Sequence, residues 1–271
     1  MTLFVIRFPE GKPKALTFSY DDGVKQDVRL VEIFKQHGLV GTFNVNSGLL
    51  GIDNRMSAEE IKNLYIPAGQ ELACHSIHHP FLEKLPDSLA VFETLVDREN
   101  LEKLSGEIIQ GMAYPYGTYT EDTIRCLKMA NIKYCRTVKP TLSFDIPQNW
   151  LALDPTCHHN HEQLFPLADK FVNQTPSARE HGWLFYVWGH SYEFRDRDNW
   201  DRIEEFAAQV SGKSDVWYAT NMQIYRYVQA FRSLEFAANG SLVYNPTACD
   251  VWFSAAGKDY HVPAGKTITI E

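Results

Sequence analysis

The sequence predicts an α/β fold: about seven strand–helix units arranged as a parallel sheet or barrel, followed by a short antiparallel β tail. Three observations carry this expectation. Strand-like and helix-like segments alternate from about residue 14 to residue 236. The run WLFYVW (183–188) is apolar throughout, as a strand covered on both faces should be. From Gly240 onward the pattern changes to short β-like pieces (242–244, 251–253, 260–262 and 267–270), separated by Asn245-Pro246, Gly257-Lys258 and Pro263-Ala264-Gly265.

The elements follow in order. ALTFSYDDG (15–23) reads as a buried strand that ends in two carboxylates and a glycine free to turn sharply. Asp27 opens a helix to about His37, with Leu30, Val31 and Phe34 on one face and Gly38 as its stop. Residues 40–45 form the second strand. Ser57-Ala58-Glu59-Glu60 is a capping box for a helix to about Tyr65. Residues 72–75 are the third strand, and a longer helix runs over 87–104 before Gly106. A strand at 112–116, a helix at 120–130 stopped by a left-handed Asn131, and a strand at 132–138 come next. Helices are expected at 164–173, at 202–210 before Gly212, and from Thr220 or Asn221 to about Phe236, with the last strand of the series at 216–219. The chain divides into a barrel over 1–236 and a β-rich extension over 237–271.

With 271 residues and 44% hydrophobic content, a large core can form. A formal charge of −8 argues against nucleic acid or an anionic membrane surface as partner. The five cysteines (Cys74, Cys126, Cys135, Cys157, Cys249) are odd in number and lack CxxC spacing, which fits reduced thiols. No run reaches membrane-spanning length, and the first residues read as a strand rather than a signal peptide. A cytoplasmic location is the expectation.

Neighbouring residues on a strand point to opposite sides, so Asp21 and Asp22 suit two different jobs, such as one metal ligand and one acid or base. Asp-Asp-Gly is also ordinary turn chemistry. The second cluster is HSIHHP (75–80), after another apolar run. His75 and His79 share a face if the chain turns helically there, and Pro80 restricts the backbone after them. One carboxylate with two neutral imidazoles is a ligand set for a catalytic zinc that leaves positions open for water. The competing account is a plain histidine cluster at the surface or in the core.

Tyr114-Pro115-Tyr116-Gly117, the stretch 145–161, and Trp188-Gly189-His190-Ser191 stand at further strand ends, where a (β/α) barrel places its chemistry. Taken with Asp21-Asp22-Gly23 and the histidine motif, their order resembles the polysaccharide deacetylases, the NodB-homology enzymes of carbohydrate esterase family 4, over about residues 14–225. The resemblance implies a distorted (β/α)7-type barrel and removal of acetyl groups from N- or O-acetylated sugars. It implies Asp21 as general base, Asp22, His75 and His79 as ligands of one divalent ion (zinc, with cobalt or nickel as alternatives), and His190 as general acid. The backbone N–H of Tyr116 would be an oxyanion donor.

Three departures accompany it. The arginine that orients the base aspartate in the family is Ala113 here, and Arg136 either replaces it from the next strand or is an ordinary ion-pair residue. Trp188 stands where a leucine is expected and would border the acyl group. The family's aspartate and tryptophan after the fifth strand have loose counterparts in Asp145 or Asp154 and in Trp150, which could equally be loop residues. His158, in Cys157-His158-His159 with His161, lines the cleft or belongs to a second metal cluster, and His78 is expected to point away. Two other readings remain open: hydrolysis of a small amide or ureide on the same scaffold, and an inactive carbohydrate-binding protein.

Overall fold

The structure is a computed structural model that describes residues 3–270; the outermost ends of the two expected units, residues 1, 2 and 271, lie outside it. Strand β1 (Phe4–Arg7) precedes the barrel strand β2 (Lys14–Asp21), and α1 (Asp27–His37) leads to β3 (Thr42–Val45). The chain continues through α2 (Ala58–Leu64), β4 (Glu71–Cys74), α3 (Asp87–Ser105), β5 (Gly111–Ala113), α4 (Glu121–Met129) and β6 (Tyr134–Arg136). Then come β7 (Cys157–His158), α5 (Leu164–Asn173), β8 (Trp183–Gly189), α6 (Tyr192–Asp196), α7 (Trp200–Val210), β9 (Val216–Tyr218) and α8 (Asn221–Arg232).

Seven parallel strands lie side by side in the order β6-β5-β4-β3-β2-β8-β7. A parallel bridge between Arg136 and Leu153 joins β6 to the segment entering β7, so the sheet curls into a distorted barrel. Strand β2 is its spine, paired over seven positions with β8 and, at its C-terminal half, with β3. Its alternation sorts the side chains. Phe18 packs on Phe34 of α1 at 4.5 Å and on Phe206 of α7 at 6.0 Å, whereas Ser19 and Asp21 hydrogen-bond across the barrel interior.

Several local predictions are realised by their stated chemistry. Ser57 and Glu60 form a reciprocal capping box at α2, and Gly38 and Gly106 end α1 and α3 in left-handed conformation. Three differ. The ring includes Cys157–His158, a two-residue strand too short to show any periodicity, while β9 lies off the ring against Lys14–Leu16. Helix α8 stops at Arg232, and Phe236 enters a strand, β10 (Glu235–Phe236), that pairs with β11 (Leu242–Tyr244). No helical turn forms over 75–79.

Beyond these lie β12 (Val251–Ala255), β13 (Lys258–Val262) and β14 (Thr267–Thr269). Strand β1 pairs antiparallel with β12, so the first and last parts of the chain share a three-stranded sheet. Among the described residues no helix is long and apolar enough to cross a membrane.

Candidate active site

The strands of the ring deliver the candidate residues to their C-terminal ends. Strand geometry holds as far as Asp21; Asp22 then adopts φ 83°. That left-handed step swings its carboxylate back over the barrel mouth, so adjacent aspartates that a continued strand would separate face one spot. His75 Nε2 lies 3.9 Å from Asp21 Oδ2 and 4.0 Å from Asp22 Oδ1. His79 Nε2 lies 3.9 Å from the same Asp22 oxygen. Ser76 and His79 also have positive φ, of 65° and 58°, and this irregular loop, not a helical face, brings the two imidazoles together. Each such residue costs on the order of 1–3 kcal/mol, and with Tyr116 (φ 60°) four of them surround this mouth.

Hydrogen bonds hold the loop in place. Asn46 Nδ2 donates to the carbonyls of His75 and Ser76, and the His75 N–H donates to the buried Asp97 at 2.9 Å. His75 Nδ1 is 2.8 Å from the Ala113 carbonyl, which can only accept, so Nδ1 carries the proton and Nε2 presents a lone pair inward. Burial, and then the neighbouring His75, pull the His79 pKa down to about 4, keeping that ring neutral. His78 turns away and pairs with Glu93 at 2.8 Å. Asp22 Oδ1 and His75 Nε2 are buried and make no hydrogen bond. Two orphaned electron-pair donors beside a neutral imidazole fit a divalent cation of the zinc class.

Asp21 sits beside this cluster with both oxygens engaged. Oδ1 accepts from Asn44 Nδ2 at 2.9 Å, and Oδ2 accepts from Arg136 Nη2. Burial works to raise the Asp21 pKa, but the Arg136 charge, with His75 and His190, outweighs it and holds the carboxyl below its ordinary value. Arg136 is fully buried; Nε donates to Ser19 Oγ at 3.1 Å and Nη1 to the Thr137 carbonyl. Its guanidinium lies 4.4 Å over the indole of Trp188. The two departures from the family pattern therefore meet. The arginine comes from β6, and the tryptophan supplies the face it rests on. Only 8% exposed, Trp188 offers support to Arg136 rather than an open wall for an acyl group.

His190 follows β8, and its Nε2 faces Asp21 Oδ2 at 3.8 Å. Its Nδ1 is 2.8 Å from Glu193 Oε1, a carboxylate one helical turn on, in α6. Burial alone would lower the His190 pKa; the Glu193 hydrogen bond and the Asp21 charge more than reverse that and raise it. Glu193 also receives Asn160 Nδ2 at 3.0 Å, with His158 Nε2 at 3.3 Å and His159 Nε2 at 3.4 Å. Burial opposes its charge, yet the close imidazole edges of His158 and His159 and the hydrogen bond with His190 prevail and hold it well below the carboxylate range.

His158, His190 and Glu193 are close enough to suggest a second metal cluster. The tautomer of His158 argues otherwise. Its Nδ1 accepts the Asn160 N–H at 3.1 Å, so the proton is on Nε2, and that edge donates to Glu193 instead of offering a lone pair.

The remaining expected site residues scatter. Tyr116 is 51% exposed at the rim, its ring stacked on Phe81 at 3.8 Å and edge-on to His79 at 4.5 Å. Trp150 is a correction: it packs edge-on to Tyr225 in a cluster with Ala15, Leu184 and Ile224, at the strands' N-terminal end and away from this mouth. A short 3-10 turn capped by Asn149 folds the connection back and carries the indole there. Asp145 accepts from Ser143 Oγ in an exposed loop, and Asp154 accepts from Thr137 Oγ1; the acid beside His190 is neither of them. Sequence reasoning missed Glu193 and Arg55, whose Nη2 is 3.2 Å from Asp22 Oδ1. The i,i+3 spacing from His190 was a signal for Glu193; nothing local marks Arg55.

Comparison with known proteins follows the same line. Residues 9–135 match the family model described as polysaccharide deacetylase. No curated protein matches the sequence. A Mycobacterium smegmatis structure assigned to the polysaccharide deacetylases aligns with TM-score 0.61 at 18% identity, over 84% of this chain and 94% of its own. A carbohydrate esterase family 4 pseudoenzyme of Bacillus anthracis, in a mutant form with restored enzymatic activity, aligns with TM-score 0.50 at 14% identity, over 78% of this chain and 67% of its own. A Streptococcus pyogenes deacetylase in complex with acetate is 22% identical (TM-score 0.47), with 50% of this chain covered. The chain spans 61% of that protein's length, and 44% of a Bacillus cereus polysaccharide deacetylase.

Proposed function

We propose that this chain, whose fold is that of the NodB-homology enzymes and whose residues 9–135 match the polysaccharide deacetylase model, is a metal-dependent hydrolase removing acetyl groups from N- or O-acetylated sugars. The observation that carries the reading is the convergence of Asp22, His75 and His79, with two orphaned buried donor atoms, beside an ionised Asp21 and a His190 of raised pKa.

Asp22, His75 and His79 would hold the ion, zinc first, with cobalt or nickel as alternatives. Bound there, such an ion supplies Lewis acidity toward an acyl oxygen and acidifies water. Asp21, kept ionised by Arg136, takes the proton of the attacking water. His190 carries its proton on Nδ1 toward Glu193, and its raised pKa favours the doubly protonated ring, whose Nε2–H goes to the departing nitrogen or oxygen. Each proton transfer contributes roughly 10²–10⁴-fold. The Tyr116 N–H is the proposed oxyanion donor, worth about 2.7–4 kcal/mol at the transition state.

The test is acetate release from acetylated chito-oligomers by chelator-treated and by zinc- or cobalt-reloaded protein. Loss and recovery of release, with one ion per chain by metal analysis, is the expected result. Metal-loaded protein that releases acetate from no acetylated glycan would overturn the reading. Turnover of small amides alone would move it to that substrate class.

A further inference from the structure

We propose that Arg55 is an anion-recognition residue of this site, and that the preferred acetylated sugar carries an oxyanion, a carboxylate or a phosphate ester, near the acyl group. The inference rests on the deacetylase reading and adds to it a substrate charge.

Arg55 is held in place by its backbone. It forms an antiparallel bridge with Val24, just past the Asp-Asp-Gly turn. Met56 N donates to the Gly23 carbonyl and Lys25 N to the Asn54 carbonyl, both at 2.9 Å. The guanidinium is thereby carried to Asp22, where Nη2 stands 3.2 Å from Oδ1 in an ion-pair contact outside hydrogen-bond geometry.

This is not a solvated surface cation. Its side chain is 23% exposed, and Nε is buried with no partner. A guanidinium has five N–H donors in a fixed fork shaped for carboxylate or phosphate. Among the described residues Asp22 is its one ionic partner, and it donates no hydrogen bond. The Asp22 oxygen it faces is also the one nearest His75 and His79, so an ion bound there would compete for the same charge. A neutral donor would orient Asp22 without repelling a dication. A cation at this position gains when a second anion arrives, and a ligand entering the mouth can bring one.

The alternative is that Arg55 merely positions Asp22, and the experiment separates the two. Acetate release is measured on N-acetylated chito-oligomers and on matched oligomers bearing a uronic acid or a 6-phosphate. Wild type, Arg55→Gln and Arg55→Lys are compared, with metal content measured for each. The expected result is at least a tenfold higher kcat/KM on one acidic series, expressed in KM. It collapses toward equality in Arg55→Gln, is partly kept in Arg55→Lys, and metal content stays at the wild-type level. The carboxylate and phosphate arms identify the oxyanion. No preference in wild type overturns the proposal, as does an equal fall in kcat on both series with loss of metal, which would assign Arg55 to holding Asp22.

Calorimetric binding of the same sugars keeps the question independent of turnover. If no glycan releases acetate, the deacetylase reading fails by itself. Binding of the acidic sugar over the neutral one, lost in Arg55→Gln, then still supports anion recognition, and equal binding overturns it.

Discussion

Replacing Glu193 by glutamine removes one negative charge and nearly keeps the side chain's shape, so it isolates what that charge does for His190. The carboxylate oxygen is 2.8 Å from His190 Nδ1, and the glutamate side chain is 16% exposed. Two unit charges about 4 Å apart interact by about 4 kcal/mol at an effective dielectric of 20, an upper figure here because solvent reaches the pair. An opposite charge at hydrogen-bond distance shifts a pKa by about 1–3 units, each worth about 1.4 kcal/mol. Removing Glu193 should therefore lower the His190 pKa by roughly one to two units. The pH profile of acetate release reads this directly. The basic limb of kcat/KM, where His190 loses the proton it must donate, moves to lower pH, and activity on that limb falls by about 10- to 10²-fold. Glu193→Asp should fall between the two. A profile that overlays wild type, with metal content unchanged, would refute the assignment of Glu193 as the residue that tunes and orients His190. The glutamate's depressed pKa adds a stability term present above its unfolded value and lost as pH falls through the folded one. In Glu193→Gln that acid-side loss disappears.

Three further outcomes are expected. Arg136→Gln removes the cation and the fork that grip Asp21 and Ser19 and should raise the Asp21 pKa, so the acidic limb of the profile moves up by about one to three units; an unmoved limb would deny Arg136 its role. In Gly189→Ala the added Cβ would stand 2.1 Å from His159 Nδ1, next to His190, and should cost about 1–3 kcal/mol, read as a lowered Tm, with kcat reduced; wild-type Tm would contradict the packing described. Asp27 is buried among Ser191 and Tyr65, and burial lifts its pKa to about 7. Its folded pKa lies above the unfolded one, so the native state binds the extra proton and stability declines as pH rises from about 4 to about 7. Asp27→Asn should become progressively more stable relative to wild type across that window, by up to about 4 kcal/mol. A pH-independent difference in Tm would show that Asp27 is ionised throughout.

What could be read along the chain was whatever one or two turns of local chemistry decide. The capping box at Ser57, the left-handed stops at Gly38, Gly106 and Asn131, and the inward and outward alternation of β2 depend on neighbours a few residues away. The motif residues Asp21, Asp22, His75, His79 and His190 were legible too, because each ends or follows a strand of the barrel and strand ends share one mouth. Their meeting was not legible as geometry, since it depends on three left-handed residues that no propensity favours: Asp22, Ser76 and His79.

Trp150 shows the opposite error. A motif-like tryptophan in a long connection can fold to either end of a barrel, and packing against Tyr225 and the first turn of α8 took it to the base. The sequence by itself determined the alternation of strands and helices and which chemical groups stand at strand ends, for these follow from short-range sterics and burial. Only the tertiary structure decided that Arg136 rests on Trp188 to grip Asp21, that Glu193 gathers His158, His159 and His190, and that Arg55 faces Asp22. Charges separated by tens of residues have no local pattern; they find one another when the barrel curls and water is excluded, where an unpaired charge is too costly to leave alone.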